Sequence, residues 1–416
     1  MSARVIGITA EYNPFHNGHR WQLQMLRETF GNVPVAACMS GWFVQRGETA
    51  LADPWTRAVM AVRSGVDLVL LLPSWYSLRS ADYFAAGAVK TLAATGIVNI
   101  LACGAEHSSE KAGGTAASSL ADTAAWSLEK STEEQIRKLL QQGLSYGAAW
   151  ETAARENRKD AGWFSGANNI LALAYQKVIL QHHLPLTLFP LPRQGSGYND
   201  TGLTPPYASA TAIRRALREG ISVPALRSVM PDSTVTELEK SAVSYPSLFA
   251  SQDHILALLL TYLLARNNGQ SLYEHSSASR DLCDRFFNTR QELQNGCKTF
   301  CTAIASRRDS LPSVRRLSLQ LLLQMPREFW TEVPDPCYLR VLAFNERGRG
   351  LLKAMKQAAA LPVITKPGSL EQYRNTDLYP LLQLDAAAAD LFRLLRGNTG
   401  NYGTDCTTSP VYVKQT

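Results

Sequence analysis

Residues 5–20 read VIGITAEYNPFHNGHR, and this stretch sets the interpretation of the whole chain. Residues 5–10 form a β-rich run, residues 13–15 form a tight turn, and His16-Asn17-Gly18-His19 opens a helix. A helix start offers unpaired N–H groups and a partial positive charge, and Gly18 lets the backbone approach a ligand closely. With two imidazoles as further donors, the unit predicts a site for the phosphates of a nucleoside triphosphate. In the alternative interpretation, the histidines only cap the helix and pack beside it.

Four further β-rich runs follow, at residues 33–39, 67–72, 98–103 and 184–191, with helical patterns between them. Runs such as VDLVLLL and VNILAC are almost continuously apolar, which is typical of parallel strands buried on both faces. We therefore predict an α/β fold whose parallel sheet is connected by crossover helices. Ligands of such sheets bind at the carboxyl ends of the strands. The loops that directly follow the strands are therefore the place to look for chemistry.

The pattern of the chain changes after about Gly220. Apolar residues then recur at helical spacing, as in HILALLLTYLLARNN, SLQLLLQM and AAAADLFRLLRG, and strand-like runs become rare. Pro224 and Pro231 mark the transition between the two patterns. We predict two domains, an α/β domain over residues 1–225 and a mainly α-helical domain over residues 226–416.

The composition excludes a disordered or fibrous chain, because the 416 residues are 45% hydrophobic and 19% charged. The net charge of +7 allows a polyanionic partner but also fits a merely basic soluble protein. The seven cysteines include no CxxC pair and follow no secretory leader, which predicts reduced thiols in the cytoplasm. Cys297 and Cys301 lie one helical turn apart without a nearby histidine, so we predict no metal site. The longest largely apolar run, Ile255 to Ala265, is too short to span a membrane.

The sequence SATAIR, residues 209–214, precedes a helix and offers two hydroxyl groups and a guanidinium at its start. Ser209, Thr211 and Arg214 form a second candidate anion site, although a serine at this position is also an ordinary N-cap. A nucleotide pocket needs donors on both sides of the phosphate chain. The two motifs lie early and late in one α/β unit, so together they predict such a pocket.

Residues 40–48, SGWFVQRGE, follow the second strand and place Gln45 and Arg46 in a loop that faces the same pocket. We interpret this loop as part of the wall of the active site. Arg46 could hold a carboxylate or a pyrophosphate, or it could pair with Glu48 and shape the loop. The residue types alone leave both interpretations open.

The HNGH and SATAIR motifs resemble the nucleotidyltransferase superfamily with the HxGH signature, in which both histidines hold the phosphates of ATP. A closer resemblance, in order over most of the chain, is to the tRNA(Met) cytidine acetate ligase family. Two segments depart from that family's pattern, since Trp42 replaces an asparagine and CGAE replaces Phe-Gly-Ser-Glu. The segments that carry the resemblance are GITAEYNPFHNGH (7–19), SGWFVQRGE (40–48), CGAE (103–106), ANNIL (167–171), RQGSGY (193–198) and YLRVLAFN (338–345).

This resemblance implies a Rossmann-like nucleotidyltransferase domain followed by a helical tRNA-binding domain. It implies that ATP, arriving with Mg²⁺, activates acetate as acetyl-adenylate. The acetyl group then passes to N4 of the wobble cytidine of elongator tRNA(Met), with release of AMP and pyrophosphate. His16 and His19 would be catalytic, because fixed donors stabilise the charge that develops on the phosphoryl oxygens. The implied ATP site comprises Gly7, Ile8, Thr9, Ala10, Glu11, Tyr12, Asn13, Pro14, Phe15, His16, Asn17, Gly18, His19, Arg20, Gly104, Asn168 and Arg193.

For three of the implied residues, the sequence gives an independent reason to expect them at the site. Gly104 follows the VNILAC strand, where a side chain would block a ligand over the sheet edge, although turn glycines are common. Asn168 opens a helix, so it either caps that helix or contacts an adenine edge. Arg193 follows a strand and is either a phosphate or carboxylate ligand or an ordinary surface charge.

The helical half contains basic clusters that would suit the backbone of a tRNA, although such runs are also typical of solvated helix faces. We expect the aromatic side chains of Trp330, Tyr338 and Phe344 in the core rather than stacked on bases. The basic residues are Arg307, Arg308, Arg315, Arg316, Arg340, Arg347, Arg349, Lys353 and Lys356.

Two other functions stay open on the sequence. One is an adenylyltransferase that joins AMP to another small acceptor, as other HxGH enzymes do. The other is a non-enzymatic RNA-binding protein that uses the nucleotide pocket as a regulatory switch. We favour a cytoplasmic ligase whose partners are elongator tRNA(Met) and acetate, with no membrane partner. Its oligomeric state is not determined by the sequence.

Overall fold

The structure is a computed structural model that describes residues 4–106, 115–193, 202–244, 248–400 and 402–414. The strands are β1 Ile6–Ala10, β2 Val35–Ser40, β3 Phe43–Val44, β4 Glu48–Thr49, β5 Leu68–Leu72, β6 Ile100–Ala105, β7 Thr187–Pro192, β8 Leu339–Phe344, β9 Val363–Ile364 and β10 Val411–Tyr412. The helices are α1 Asn17–Phe30, α2 Pro54–Arg63, α3 Ser74–Ser77, α4 Ala81–Ala94, α5 Thr115–Ser127, α6 Lys130–Gln141, α7 Tyr146–Glu156, α8 Ala167–Gln181, α9 Ala210–Arg218, α10 Asp232–Ser244, α11 Asp253–Arg266, α12 Gly269–Glu274, α13 Arg280–Asn288, α14 Cys297–Ile304, α15 Leu311–Leu323, α16 Arg327–Thr331, α17 Glu346–Ala358, α18 Tyr379–Leu395 and α19 Thr404–Thr407.

A mainly parallel sheet with strand order β10-β8-β5-β2-β1-β6-β7 organises the chain, and β9 pairs with β8. All its pairs are parallel except β5 with β8. In the register of the central strands, Ile8 of β1 lies opposite Ala37 of β2 and Ala102 of β6. Every residue of β2 and β5 is buried, which explains their continuous apolar sequences. The predicted α/β class and the five predicted strands are confirmed.

The strand order places the site. From β1 the chain continues to β2 and β5 on one side, and it later crosses to β6 and β7 on the other side. The connections therefore diverge between β1 and β6, and in open α/β sheets a crevice opens at the carboxyl ends of such strands. Glu11 follows β1 and Arg193 follows β7, while Gly104 is the second-last residue of β6, so all three lie at this edge.

Residues beyond 225 contribute to two different hydrophobic cores. Helices α11 to α15 build a second hydrophobic core of their own, between Ala257 and Leu321. The strand β8 instead returns to the sheet beside β5, and the main core extends from Val5 to Val413. The sequence did not predict this return, and a boundary near residue 225 does not separate the two cores. Residues 226–416 as a tRNA-binding domain stay a prediction.

The hairpin β3–β4 lies between the sheet edge and the second core. Its tight turn includes Gly47, where a Cβ atom would lie 2.6 Å from the backbone nitrogen of Arg316 in α15. Close packing of the helix therefore requires glycine there, and its φ of 71° suits glycine too. In the described residues, no helix is both long and apolar enough to cross a membrane.

Candidate active site

A cavity at the carboxyl ends of the central strands brings most of the predicted site residues together. It is enclosed by the ends of β1, β6 and β7, the hairpin β3–β4 and the starts of α1, α8 and α9. We call it the central cavity. Its wall comprises Thr9, Ala10, Glu11, Tyr12, Asn13, His16, Gly18, His19, Trp21, Gln22, Val44, Gln45, Arg46, Phe84, Cys103, Gly104, Asn168, Leu171, Tyr175, Leu191, Pro192, Arg193, Tyr207, Ala208, Ser209, Ala210, Thr211 and Arg214.

His16, Gly18 and His19 form one side of the central cavity, which we call the phosphate side after the ligand predicted for it. His16 is the N-cap of α1, and its Nδ1 accepts the backbone N–H of Gly18 at 3.1 Å. In return, Nδ1 of His19 accepts the backbone N–H of His16 at 3.2 Å. This is a capping box built from two histidines. Because each Nδ1 is an acceptor, the proton of each neutral ring lies on Nε2, the one nitrogen left to donate to a ligand.

The two rings are stacked with centroids 3.8 Å apart, an arrangement that disfavours two positive charges. Burial, with Arg193 and Arg214 nearby, lowers the pKa of His16 to about 3. Burial, His16 and Arg193 lower the pKa of His19 well below its ordinary value. Both histidines are therefore neutral hydrogen-bond donors at physiological pH. The spacing also explains Gly18, since a Cβ atom there would lie 2.9 Å from Cε1 of His16.

A network at the ends of β6 and β7 holds the predicted Asn168 and Arg193. The carboxylate of Glu106 accepts the backbone N–H of Asn169 at 3.0 Å and the side-chain amide of Asn168, so it caps α8. Asn168 is therefore not the N-cap. Its Oδ1 accepts Nη1 of Arg193 at 2.9 Å, which orients the guanidinium beside the central cavity. The room that Gly104 leaves is occupied by Arg193, whose Cγ would lie 3.2 Å from a Cβ atom at Gly104.

A second part of the wall presents Glu11, Arg46 and Arg214. Outside the wall, Arg57 bonds to Glu11, Glu48 pairs with Arg214, and Arg315 pairs with Glu48. We call these six residues the arginine side. Arg57 of α2 is fully buried and donates to four carbonyl oxygens, those of Glu11, Ser40, Gly41 and Ala52. It therefore ties the chain after β1 to the chain after β2. Burial lowers its pKa to about 10, which still leaves it charged at neutral pH.

Arg214 connects the SATAIR motif to the loop after β1. Its Nη1 donates to the carbonyl oxygen of Asn13 at 2.8 Å, and Nη2 lies 3.6 Å from Glu48. Glu48 also accepts Nη1 of Arg315 at 2.5 Å, so the carboxylate bridges an arginine of the cavity wall and one of α15. Ser209 accepts the backbone N–H of Ala212 at 3.0 Å, which confirms its capping role while it also lines the cavity.

Comparison with known proteins then decides the family. The sequence profile described as HIGH Nucleotidyl Transferase matches residues 3–405. A tRNA(Met) cytidine acetate ligase from Syntrophomonas wolfei is 33% identical, with 98% of this chain and 99% of the relative aligned. A tRNA(Met) cytidine acetate ligase from Alkaliphilus metalliredigens is 31% identical, with 99% of each chain aligned. The chain belongs to the tRNA(Met) cytidine acetate ligase family.

Solved structures agree with this ligase family. The crystal structure of Thermotoga maritima TmcAL without ligand superposes with a TM-score of 0.87 at 26% identity, over 99% of this chain and 100% of that one. The same protein bound with alpha-thio ATP superposes with a TM-score of 0.85 at 25% identity and the same coverage. The fold of this ligase therefore matches that of TmcAL over its whole length.

Six predicted ATP-site residues lie outside the wall of the ligase's central cavity: Gly7, Ile8, Pro14, Phe15, Asn17 and Arg20. Gly7 allows helix α4 to pack on β1, since a Cβ atom there would lie 2.8 Å from Cγ1 of Val98 and 3.1 Å from Leu92. The amide of Asn17 donates to the carbonyl oxygens of Pro206 and Ser228. These contacts support the site from behind, and a direct role in ATP binding stays a prediction. The segment RQGSGY after Arg193 lies outside the described residues.

The basic clusters of the helical half divide by exposure. Arg340 is fully buried in β8 and pairs with Asp405, so it is unavailable to a tRNA and its prediction was wrong. Arg315 and Arg316 bond to Glu48 and the carbonyl oxygen of Gln45, and Arg347 bonds to Asn32. The exposed members are Arg307, Arg308, Arg349, Lys353 and Lys356. Trp330 and Tyr338 are buried as predicted, and Phe344 is partly buried.

Sequence reasoning gave no role to several residues of the ligase site. Arg57 lies within the apolar helix PWTRAVMAV, where a single cation is itself a signal of a buried partner. Glu106 was part of the CGAE segment but had no assigned contact. Tyr175, whose hydroxyl accepts Oγ1 of Thr9 at 2.6 Å, had no sequence signal. In the described residues, no group of three or more His, Cys, Asp or Glu side chains is placed to hold a metal ion.

Proposed function

We propose that this ligase acetylates N4 of the wobble cytidine of elongator tRNA(Met), using ATP and acetate through acetyl-adenylate. The observation that carries the proposal is the pair of neutral, stacked imidazoles at a helix start on the wall of the central cavity. The names of the relatives support tRNA(Met) and acetate as substrates, and the alpha-thio ATP complex of Thermotoga maritima TmcAL supports ATP. We expect the reaction to take place in the cytoplasm, where tRNA and ATP are both present.

In the first step, an acetate oxygen attacks the α-phosphorus of ATP, and pyrophosphate leaves. Negative charge then grows on the phosphoryl oxygens, and Nε2–H donors of His16 and His19 already positioned for that charge lower the barrier. The arginines of the wall attract both anions to one cavity, which contributes proximity. ATP is expected to arrive with Mg²⁺, which would neutralise the leaving pyrophosphate.

In the second step, the exocyclic N4 of the cytidine attacks the carbonyl carbon of acetyl-adenylate. A bond forms between N4 and that carbon, the bond from the carbon to the phosphate oxygen breaks, and AMP leaves. Because acetyl-adenylate hydrolyses in water, making and using it in one enclosed cavity protects it.

The docking of the tRNA is assigned to the helical part, residues 226–416. The exposed Arg307, Arg308, Arg349, Lys353 and Lys356 supply charges of the right sign for its backbone. This assignment is independent of the chemistry proposed for the central cavity, so it can be wrong while that chemistry is right.

The test is nucleoside mass spectrometry on bacterial tRNA incubated with the protein, ATP and isotope-labelled acetate. Labelled N4-acetylcytidine is the expected product, and the double variant His16→Ala, His19→Ala should give none. The control His182→Ala changes an exposed histidine at the end of α8 and should act as wild type. Acetate-dependent ATP consumption without acetylcytidine would show a different acceptor, and no acetate dependence would refute the proposal.

A further inference from the structure

Transfer of an acetyl group to an amine releases one proton, because the attacking N4 carries two hydrogens and the product amide keeps one. A basic group on the wall of the central cavity could accept this proton directly during the transfer. The described wall residues allow each candidate to be examined in turn.

The two histidines of the phosphate side do not qualify. Nδ1 of each ring already accepts a backbone N–H, from Gly18 and from His16. Nε2 carries the proton of the neutral ring and donates to the phosphates in the proposed first step. Neither ring therefore offers a basic nitrogen, and the capping box fixes them as donors throughout the cycle.

The other titratable wall residues fail for a different reason. Arg46, Arg193 and Arg214 are cations and offer no base. Burial raises the pKa of the Cys103 thiol to about 12 and raises the pKa of the Tyr12 and Tyr175 hydroxyls above the ordinary value. These three groups therefore stay protonated at neutral pH, and none can accept a proton. Tyr207, the remaining tyrosine of the wall, offers a hydroxyl group, which is a weaker proton acceptor than a carboxylate.

Glu11 is the one carboxylate on the described part of the wall. It follows β1 directly, and its Oε1 accepts the backbone N–H of Gln45 at 2.8 Å. That bond fixes the carboxylate against the hairpin β3–β4 and leaves Oε2 as the second acceptor. The side chain is half-buried, so it is both reachable from the cavity and partly shielded from water.

The charged groups that face Glu11 come from three elements: Arg46 from the hairpin, Arg57 from α2 and Arg214 from α9. Tyr175 of α8 is the further titratable neighbour. Burial raises the pKa of Glu11 above its ordinary value, while the bond from Gln45 and the three arginines oppose that rise. A carboxylate with a raised pKa is a stronger base than an ordinary one.

We propose that Glu11 accepts the proton of the cytidine N4 during acetyl transfer, a role that rests on the proposed function. The bond from N4 to the acetyl carbon forms, and the bond from that carbon to the phosphate oxygen of AMP breaks. AMP leaves with the electron pair, and the proton moves from N4 to Oε2 of Glu11. Solvent takes the proton after the products leave, which returns the carboxylate to its starting state.

The two steps can be measured separately, and Glu11→Gln should affect only one of them. Glutamine keeps an oxygen for the Gln45 N–H but cannot accept a proton. We expect acetate-dependent exchange of pyrophosphate into ATP within about threefold of wild type, and acetyl transfer to tRNA reduced about 100-fold or more. The control Glu28→Gln changes an exposed carboxylate on α1 and should leave both rates unchanged.

The pH profile of single-turnover acetyl transfer provides the second readout. The wild-type rate should fall as the pH drops through the pKa of Glu11, because a protonated carboxyl group cannot accept a proton. Glu11→Asp should keep this acidic limb and recover at least about tenfold of the transfer lost in Glu11→Gln. The proposal is overturned if Glu11→Gln transfers normally, or if it slows exchange and transfer equally. Absence of acetate-dependent exchange in the wild-type protein would instead refute the proposed function, and this role with it.

Discussion

The phosphate side and the arginine side of the central cavity are built in opposite ways. On the phosphate side, His16, Gly18 and His19 hold each other through bonds that span two or three residues of chain. On the arginine side, Glu11, Glu48 and Arg315 are brought together by the tertiary fold. The phosphate side is therefore readable in the sequence, whereas the arginine side is not.

The two sides also differ in charge. The phosphate side presents neutral donors, because burial lowers the pKa of both histidines. The arginine side keeps cations charged by placing carbonyl oxygens and two carboxylates around them. Neutral donors suit charge that appears only in the transition state, while fixed cations attract anions from the start. We expect changes on the phosphate side to lower the rate of adenylate formation. Changes to the arginines of the arginine side should alter folding and substrate affinity, whereas a change of Glu11 should slow acetyl transfer.

The largest expected effect is the loss of the phosphate-side donors. His16→Ala or His19→Ala should lower acetate-dependent pyrophosphate exchange about 100- to 1000-fold each, because each removes a donor to the developing charge. Unfolding by urea should confirm that the variants stay folded. If only the Michaelis constant changed, the histidines would contribute to substrate binding and not to stabilisation of the transition state. That result would contradict the proposed difference between the two sides.

Arg57→Met should have the next largest effect, on stability. It leaves four buried carbonyl oxygens without their donor, at a cost of about 3 kcal/mol in the free energy of unfolding. Urea denaturation measures this, with Arg155→Met at the exposed end of α7 as the control, expected within about 0.5 kcal/mol of wild type. Equal effects of the two variants would show that the buried hydrogen bonds of Arg57 add nothing to the free energy of unfolding.

The depressed histidine pKa values predict a pH dependence of stability. Below its ordinary pKa of about 6.5, a histidine of the unfolded chain binds a proton that the folded His16 refuses until about pH 3. Stability is therefore complete above pH 6.5 and is lost as the pH falls, by about 2 kcal/mol at pH 5 for His16. The difference in unfolding free energy between wild type and His16→Gln, followed from pH 7 to pH 5, measures this. A constant difference would contradict the neutral state.

Arg315→Gln tests whether α15 acts on the cavity through Glu48. Without Arg315, Glu48 pairs with Arg214 alone. The positive charge of Arg214 is then neutralised more completely and attracts the acetate anion less strongly. We expect kcat/KM for acetate to fall about five- to tenfold through KM, with kcat nearly unchanged. In a double-mutant cycle with Glu48→Gln, the two effects should not add. Additive effects would show that Arg315 does not act through Glu48.

The smallest expected effect concerns the exposed arginines. Arg308→Gln should leave the exchange reaction unchanged and weaken tRNA binding about two- to threefold. The slope of log affinity against log salt should fall by about one for each lost phosphate contact. Filter binding at several salt concentrations measures both. An unchanged affinity and slope for Arg307→Gln and Arg308→Gln together would exclude this surface as a tRNA contact.

Much of the fold and part of the site could be predicted because the signals are local. The composition of the runs VDLVLLL and VNILAC predicts buried parallel strands, and HNGH predicts the helix that starts there. The strand β8 was missed, because a short apolar run such as LRVLAF is compatible with helix or strand until its partner is known. That partner is β5, far earlier in the chain.

By itself, the sequence determined the α/β sheet and the helix start that carries His16 and His19, because these depend on periodicity and on neighbours within a few residues. It also indicated the family, because motifs that resemble that family occur in order over most of the chain. Only the tertiary structure decided that Arg340 is buried against Asp405 and that Arg315 reaches Glu48. Only the structure also showed that Glu11 is the carboxylate of the cavity wall. Whether a charged side chain meets water, a ligand or a counter-ion depends on residues hundreds of positions away. No local pattern can encode that choice, since the free energy of a charge is set by what surrounds it in space.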